Sequence, residues 1–155
     1  MLHAWRLRAH LQPWWHAPGT LADFQARYLP RTAPASHERG YIVHRDGAPF
    51  AFMQSYVVMA VGDGWWPEET DPGARGIDQF IAHEADLGRG LGSAMVRAFV
   101  TQLFEDAAIT QVQTDPEPGN ARAIASYRRA GFVERGRVVT PDGEALLMVC
   151  TRQTL

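Results

Sequence analysis

The apolar positions of this chain follow two periods, and the switches between them mark its elements. Residues 93–104 carry Met95, Val96, Phe99, Val100, Leu103 and Phe104 at helical spacing. That single apolar stripe predicts the best-defined helix. Shorter helices are expected at 2–12 and 20–29, the second opened by Thr20 as N-cap. Segments 41–45 and 50–61 read as strands joined by the turn pair Asp46-Gly47. Residues 62–76 are dense in glycine, proline and acids and are expected to be loop. A strand at 77–82 then places Asp78, Phe80 and Ala82 on one face and Ile77, Gln79 and Ile81 on the other. A further strand at 109–114 is stopped by Pro116-Glu117-Pro118-Gly119. Asn120 caps a helix to about residue 130, Gly131 ends it, and strands near 132–139 and 145–151 flank Pro141-Asp142-Gly143. This succession implies one α/β (α+β) domain over 1–155, built on a mixed, mostly antiparallel sheet flanked by helices.

Composition and charge mainly exclude. A content of 46% hydrophobic and 21% charged residues is that of a soluble globular domain with a core. A net charge of −2 argues against binding nucleic acid through its phosphates. No run of residues is long and apolar enough to span a membrane, and no signal peptide opens the chain. The one cysteine, Cys150, cannot form an internal disulfide, so a cytoplasmic location is expected. All basic residues are arginines, which excludes lysine nucleophiles and Schiff bases. The six histidines show no ligand spacing, so no metal is expected.

Two motifs carry chemistry. Leu87-Gly88-Arg89-Gly90-Leu91-Gly92-Ser93 stands directly before the strongest helix. Glycines let backbone N–H groups approach an anion, and a helix N-terminus adds free donors and positive partial charge, which suits a pyrophosphate. A tight packing turn is the competing reading. The loop lacks the Gly-Lys-Ser/Thr ending of a Walker loop, and no acidic residue closes a dinucleotide fingerprint. The second motif is Asn120-Ala121-Arg122-Ala123-Ile124-Ala125-Ser126-Tyr127, followed by Ala130-Gly131-Phe132.

Together the two motifs resemble the cofactor half of the GNAT acetyltransferase superfamily, with Leu87 standing where many members open the loop with Gln or Arg. The segments GDGWWPEETDPGARGID (62–78), QTDP (113–116) and TPDG (140–143) further resemble the aminoglycoside 6′-N-acetyltransferases. The resemblance implies acetyl-CoA as co-substrate, held by Ile81, Ala82, Leu87, Gly88, Arg89, Gly90, Leu91, Gly92, Ser93, Asn120, Ala123 and Tyr127. It implies Asp78 as general base and Tyr127 as proton donor to the thiolate. Trp15, Asp63, Trp65, Asp78, Asp115 and Asp142 are implied to contact the aminoglycoside. A strand N–H at Ile81 or Ala82 is expected to stabilise the oxyanion. The family begins with an edge strand that this chain lacks. The sheet edge is therefore expected to be covered by a second subunit in a homodimer, or the gene to start further upstream.

The substrate class also has support from charge. Between residues 62 and 86 seven acids face one arginine, Arg75, with Trp65 and Trp66 among them. Carboxylates suit the ammonium groups of a polyamino sugar, and aromatic planes suit its rings. The competing reading is a solvated acidic loop over one packed tryptophan. At the level of function, acetylation of another polyamine, a siderophore precursor or a protein amine stays open, as does a non-enzymatic binder.

Overall fold

The computed structural model describes residues 1–62 and 64–155. Its strands are β1 (Glu38–Arg45), β2 (Ala48–Val57), β3 (Ala74–Ile81), β4 (Gln111–Thr114), β5 (Val133–Thr140) and β6 (Gly143–Thr151). They form one sheet in the order β1-β2-β3-β4-β6-β5. Every neighbouring pair is antiparallel except β3 and β4, which run parallel. The helices are α1 (Leu2–Arg6), α2 (Leu21–Tyr28), α3 (Leu91–Leu103) and α4 (Ala121–Arg129). Among the described residues no helix is long and apolar enough to cross a membrane.

The alternation along β3 divides the interior in two. Ile77 and Ile81 join Met95, Val96, Phe99 and Val100 of α3 and Ile124 and Tyr127 of α4 in the main core. Phe80 and Ala82 face the other way, into a cluster with Trp5, Leu11 and Phe52 that Trp15 and Tyr28 also touch. The expected stripe of the long helix and the expected faces of the central strand are thus both present. Local chemistry closes the ends. The Thr20 hydroxyl accepts from the Asp23 N–H at 3.2 Å and the Asp23 carboxylate accepts from the Thr20 N–H at 3.0 Å, a reciprocal cap on α2. Asp46 and Gly47, at φ 51° and 79°, make the left-handed hairpin turn between β1 and β2.

Three expectations are corrected by tertiary contacts. The helix expected over 2–12 breaks after Arg6, and a separate 3₁₀ turn follows at Ala9–Leu11. The break turns Arg8 and His10 toward the end of β3, where they donate to the carbonyls of Ala82 and Ile81 respectively. The strand expected to run to residue 61 ends at Val57, where a 3₁₀ turn begins. The loop expected over 62–76 gives way to strand at Ala74, because Ala74, Arg75 and Gly76 pair with Gln111, Val112 and Gln113. Glycine-rich sequence hides a strand whose partner lies far along the chain.

Gly76 is needed for a different reason. A Cβ there would lie 2.0 Å from Tyr56 Cζ, on the ring that faces it across the β2–β3 ladder. That ring is packed among Val58, Ala74, Val61 and Trp66 and has little room to retreat. Gly76→Ala should therefore destabilise the fold by ~1–3 kcal/mol, the usual cost of overpacking. Thermal unfolding checks it, with a lowered Tm expected.

Candidate active site

Two cavities meet along β3. The larger, of about 930 Å³, lies over the β2–β3 face and reaches the turn between β5 and β6. The smaller, of about 360 Å³, runs from the end of β3 past the glycine loop to α4. They share Trp14, Trp15, Gln79, Gly119, Asn120 and Ala123, so they open into each other.

Asp78 is half-buried in the large cavity. Its Oδ2 accepts from Gln54 Nε2 at 2.6 Å, and the Gln54 amide oxygen accepts from Arg31 at 2.7 Å. Burial pushes the Asp78 carboxyl up from the usual carboxylate range; Gln54 and Arg31 oppose that shift, while Glu38 and Asp142 add to it. Asp115, just past β4, is pushed up to about 8, first by burial and then by the charges of Asp78 and Asp142. Asp142, in the β5–β6 turn, lies 3.4 Å from the His16 ring. Three of the expected carboxylates therefore line one cavity, joined by Trp15 and Trp65. Asp63, also expected there, lies outside the described residues.

The other acids of the 62–86 stretch divide differently. Glu69 accepts from Thr70 and Asp71 N–H groups and from the Gln111 amide, and Asp71 accepts from Gly73 N–H and Thr110 hydroxyl. They fasten the loop to β4. Asp86 is taken by Arg45 at 3.3 Å and Arg89 at 3.1 Å. Trp66 packs against Tyr56, Val58 and Ala74 rather than lining the cavity. The competing reading holds for the packed Trp66 and for the exposed Glu68 and Glu84, while Glu69, Asp71 and Asp86 are tied by structural hydrogen bonds and ion pairs instead of being solvated.

The smaller cleft is bounded by Leu87, Gly88, Gly90, Gly92 and Ser93. Gly88 and Gly90 take φ of 72° and 78°, and a Cβ on either would meet nothing within 4 Å, so the loop presents bare backbone. Gly90 is the N-cap of α3, whose first N–H groups are free of helical partners. Leu91 instead packs its side chain against the core, and Arg89 is held by Asp86, so neither side chain lines the cleft. Asn120 caps α4 by accepting from Ala123 N–H at 3.1 Å.

The strand donors are settled by register. Ala82 N–H donates to Phe50 at 3.0 Å, and Ala82 is fully buried. It is spent, contrary to its expected place in the cleft. Bonded and unbonded pairs alternate in an antiparallel ladder, so Ile81, opposite Ala51, directs its N–H and C=O away from β2. Gln79, opposite Met53, does the same. With β4 paired only to Ala74, Arg75 and Gly76, both groups of Gln79 and the N–H of Ile81 are left without a strand partner, while the Ile81 carbonyl is taken by His10. Tyr127 is buried where the cavities approach, its ring 5.3 Å from Phe132. Burial, with Asp78 and Asp115 nearby, holds its hydroxyl well above the ordinary tyrosine range, and it is protonated at neutral pH.

A family model described as an acetyltransferase (GNAT) domain matches residues 1–140. The chain is 51% identical to the aminoglycoside N(6′)-acetyltransferase type 1 of Klebsiella pneumoniae, over 99% of this chain and 78% of that protein. It belongs to the aminoglycoside 6′-N-acetyltransferases of the GNAT superfamily. Among solved structures, AAC(6′)-Ib in complex with paromomycin and acetyl-CoA superposes with a TM-score of 0.95 at 51% identity, covering 99% of this chain and 88% of that one. The same enzyme in complex with coenzyme A and kanamycin superposes at 0.94, also at 51% identity, over 99% and 89% of the two chains.

In this acetyltransferase, sequence reasoning missed Gln54, Tyr56, Arg31 and Gln79, all of which line the large cavity. Gln54 and Tyr56 left a signal: a polar run, Gln54-Ser55-Tyr56, inside an otherwise apolar strand. Nothing in the sequence shows that Gln54 faces Asp78, because register sets that pairing.

Asp115 offers a direct test of the site's electrostatics. Between the ordinary value of 3.8 and about 8, the folded protein holds a proton that the unfolded chain has lost. Substrate-free stability therefore falls as pH rises through that window. Asp115→Asn removes this dependence, so its Tm should exceed the parent's at pH ~8, with the gain shrinking toward pH ~5. An identical Tm difference at both values would show that the carboxyl does not titrate there.

Proposed function

We infer that this protein transfers the acetyl group of acetyl-CoA to the 6′-amino group of an aminoglycoside, and so confers resistance to it. The observation that carries the reading is the junction of an acidic, aromatic cavity with a glycine-lined cleft at Gln79, Asn120 and Ala123. An amine in one space can meet a thioester in the other. Acetyl-CoA is a cytoplasmic metabolite, so the reaction belongs in the cytoplasm.

The residues take the following parts. The bare N–H groups of the glycine loop and the start of α3 hold the pyrophosphate of acetyl-CoA. The N–H and C=O groups of Gln79 and the N–H of Ile81 pair with its pantetheine arm, and Asn120 and Ala123 form the wall opposite. Ile81 N–H is the nearer candidate for the oxyanion. Asp115, Asp142 and Asp63 meet ammonium groups of the sugar, and Trp15 and Trp65 its ring faces.

The amine arrives as an ammonium without a lone pair. Asp78 removes one proton, and burial improves it as a base over an exposed aspartate. The nitrogen then attacks the thioester carbon, forming C–N; collapse of the tetrahedral species breaks C–S, the nitrogen gives its second proton to solvent, and Asp78 later returns the first there as well. Tyr127 gives its hydroxyl proton to the departing sulfur and regains one from solvent. A thiolate is less basic than a tyrosinate, so this step assists without being obligatory.

Three variants and one substrate pair test the assignment. Asp78→Asn should lower kcat by roughly 10²–10⁴. Tyr127→Phe should cost less; the reverse order at neutral pH would exchange the weight of the two roles. Gly90→Val should fill the open space before α3 and weaken acetyl-CoA at least ~10-fold by calorimetry while the fold survives. Kanamycin carrying a 6′-amine should be acetylated with release of CoA. Its 6′-hydroxyl counterpart should bind without turnover. Acetylation of a simple amine or a peptide but of neither sugar would remove the aminoglycoside assignment.

A further inference from the structure

A chain of side chains behind Asp78 has no part in the mechanism so far. Arg31 sits on the 3₁₀ turn that follows α2, its guanidinium 4.7 Å above the Tyr28 ring. One arm pairs with Glu38 of β1 at 2.7 Å and the other donates to the Gln54 amide oxygen at 2.7 Å. A guanidinium only donates, so the Gln54 amide has one admissible orientation, with oxygen toward Arg31 and NH₂ toward Asp78. Gln54 Nε2 then needs an acceptor, and Asp78 Oδ2 at 2.6 Å supplies it.

We propose that Gln54, oriented by Arg31, is a positioning residue that favours the carboxylate form of Asp78 and fixes Oδ1 as the oxygen that receives the amine proton. A proton on Oδ2 would set two donors face to face. A proton on Oδ1 leaves the Gln54 contact intact before and after transfer. The proposal rests on the acetyl-transfer reading above, and it sharpens the role of Asp78 within it. The other groups that face Asp78 are Glu38 of β1, Tyr56 of β2, Asp115 after β4, Tyr127 of α4 and Asp142 of the β5–β6 turn. Three of these are carboxylates and two are neutral phenols, and the charges of Glu38 and Asp142 favour a proton on Asp78. Among the described residues, Gln54 and Arg31 are the groups that act in the opposite direction.

The test compares parent, Gln54→Leu, Gln54→Glu and Arg31→Lys. The acid limb of kcat/KM against pH, measured with kanamycin at saturating acetyl-CoA, should move up by about one unit in Gln54→Leu, since loss of one donor to a carboxylate is worth that much. At neutral pH kcat should fall about tenfold, with the KM for acetyl-CoA unchanged. Gln54→Glu keeps the shape and the Arg31 contact but sets a second carboxylate against Asp78, so its acid limb should move further. Arg31→Lys retains one donor and should fall between parent and Gln54→Leu. Carbon-13 NMR titration of the aspartate carboxyls in the substrate-free protein should report the same upward shift for Asp78. A uniform loss of rate at every pH, with an unshifted acid limb and an unshifted Asp78 titration, would overturn the proposal and leave Gln54 a packing residue. If the parent did not acetylate kanamycin, the functional reading would fail, and the NMR titration would still decide the relay.

Discussion

Three residues of parallel pairing carry the architecture of the site. Ala74, Arg75 and Gly76 bond to Gln111, Val112 and Gln113, and beyond them β3 has no partner on its β4 side. A parallel pair continued along β3 would consume the N–H and C=O groups of Gln79 and Ile81 and close the cleft. Because pairing stops, both backbone groups of Gln79 and the N–H of Ile81 stay available at the place where α3 begins and α4 passes. The open end would be a liability in a sheet, and it is managed by the start of the chain: His10 caps the carbonyl of Ile81, the last residue of β3, Arg8 caps that of Ala82 just beyond it, and Ala82 N–H turns back to Phe50. Only the backbone groups that face the cleft are left free.

The large cavity works on a different physical basis, the gathering of like charges. Burial and the charge of Asp142 raise the proton affinity of Asp78 and of Asp115, and Asp115, which Asp78 also faces, is driven up to about 8. Such a cluster is destabilising when empty and relieved when ammonium groups arrive, so the protein is most strained where a polycation would bind. Arginine at the cavity wall moderates the strain. Arg31, tied to Glu38 and Gln54, lowers the proton affinity of Asp78, and Arg6 is fixed by Tyr28 and the His16 carbonyl with its guanidinium 4.5 Å from the Trp15 ring.

The same tie explains why the aromatic cluster under α1 and α2 matters to the site. Phe24 stacks on Tyr28 at 4.2 Å, and Trp15 meets Phe80 edge-on at 5.2 Å. These contacts fix the base on which Arg31 stands and the wall that Trp15 gives to both cavities. Packing on one face of β3 thus sets electrostatics, while packing on the other, through α3 and α4, sets the backbone cleft.

Much of this was legible in the sequence because it depends on local periodicity and local chemistry. The stripe of α3, the faces of β3, the Thr20 and Asn120 caps, the Asp46-Gly47 turn and the glycine loop each need only neighbours within a few residues. The motifs that resemble GNAT enzymes are local in the same sense, and they placed Asp78, Asp115, Asp142 and Tyr127 together before any coordinate did. What tertiary structure alone decided involves partners far apart in the chain. Pairing with β4 made strand of Ala74, Arg75 and Gly76. Capping of β3 broke the first helix. Ladder alternation spent Ala82 and freed Gln79. Hydrogen bonds to Gly73, Thr110 and Gln111 turned Glu69 and Asp71 into fasteners of the loop. Register set Gln54 opposite Asp78, which no local pattern specifies, because a shift of one residue would have sent the same side chain to the opposite face of the sheet.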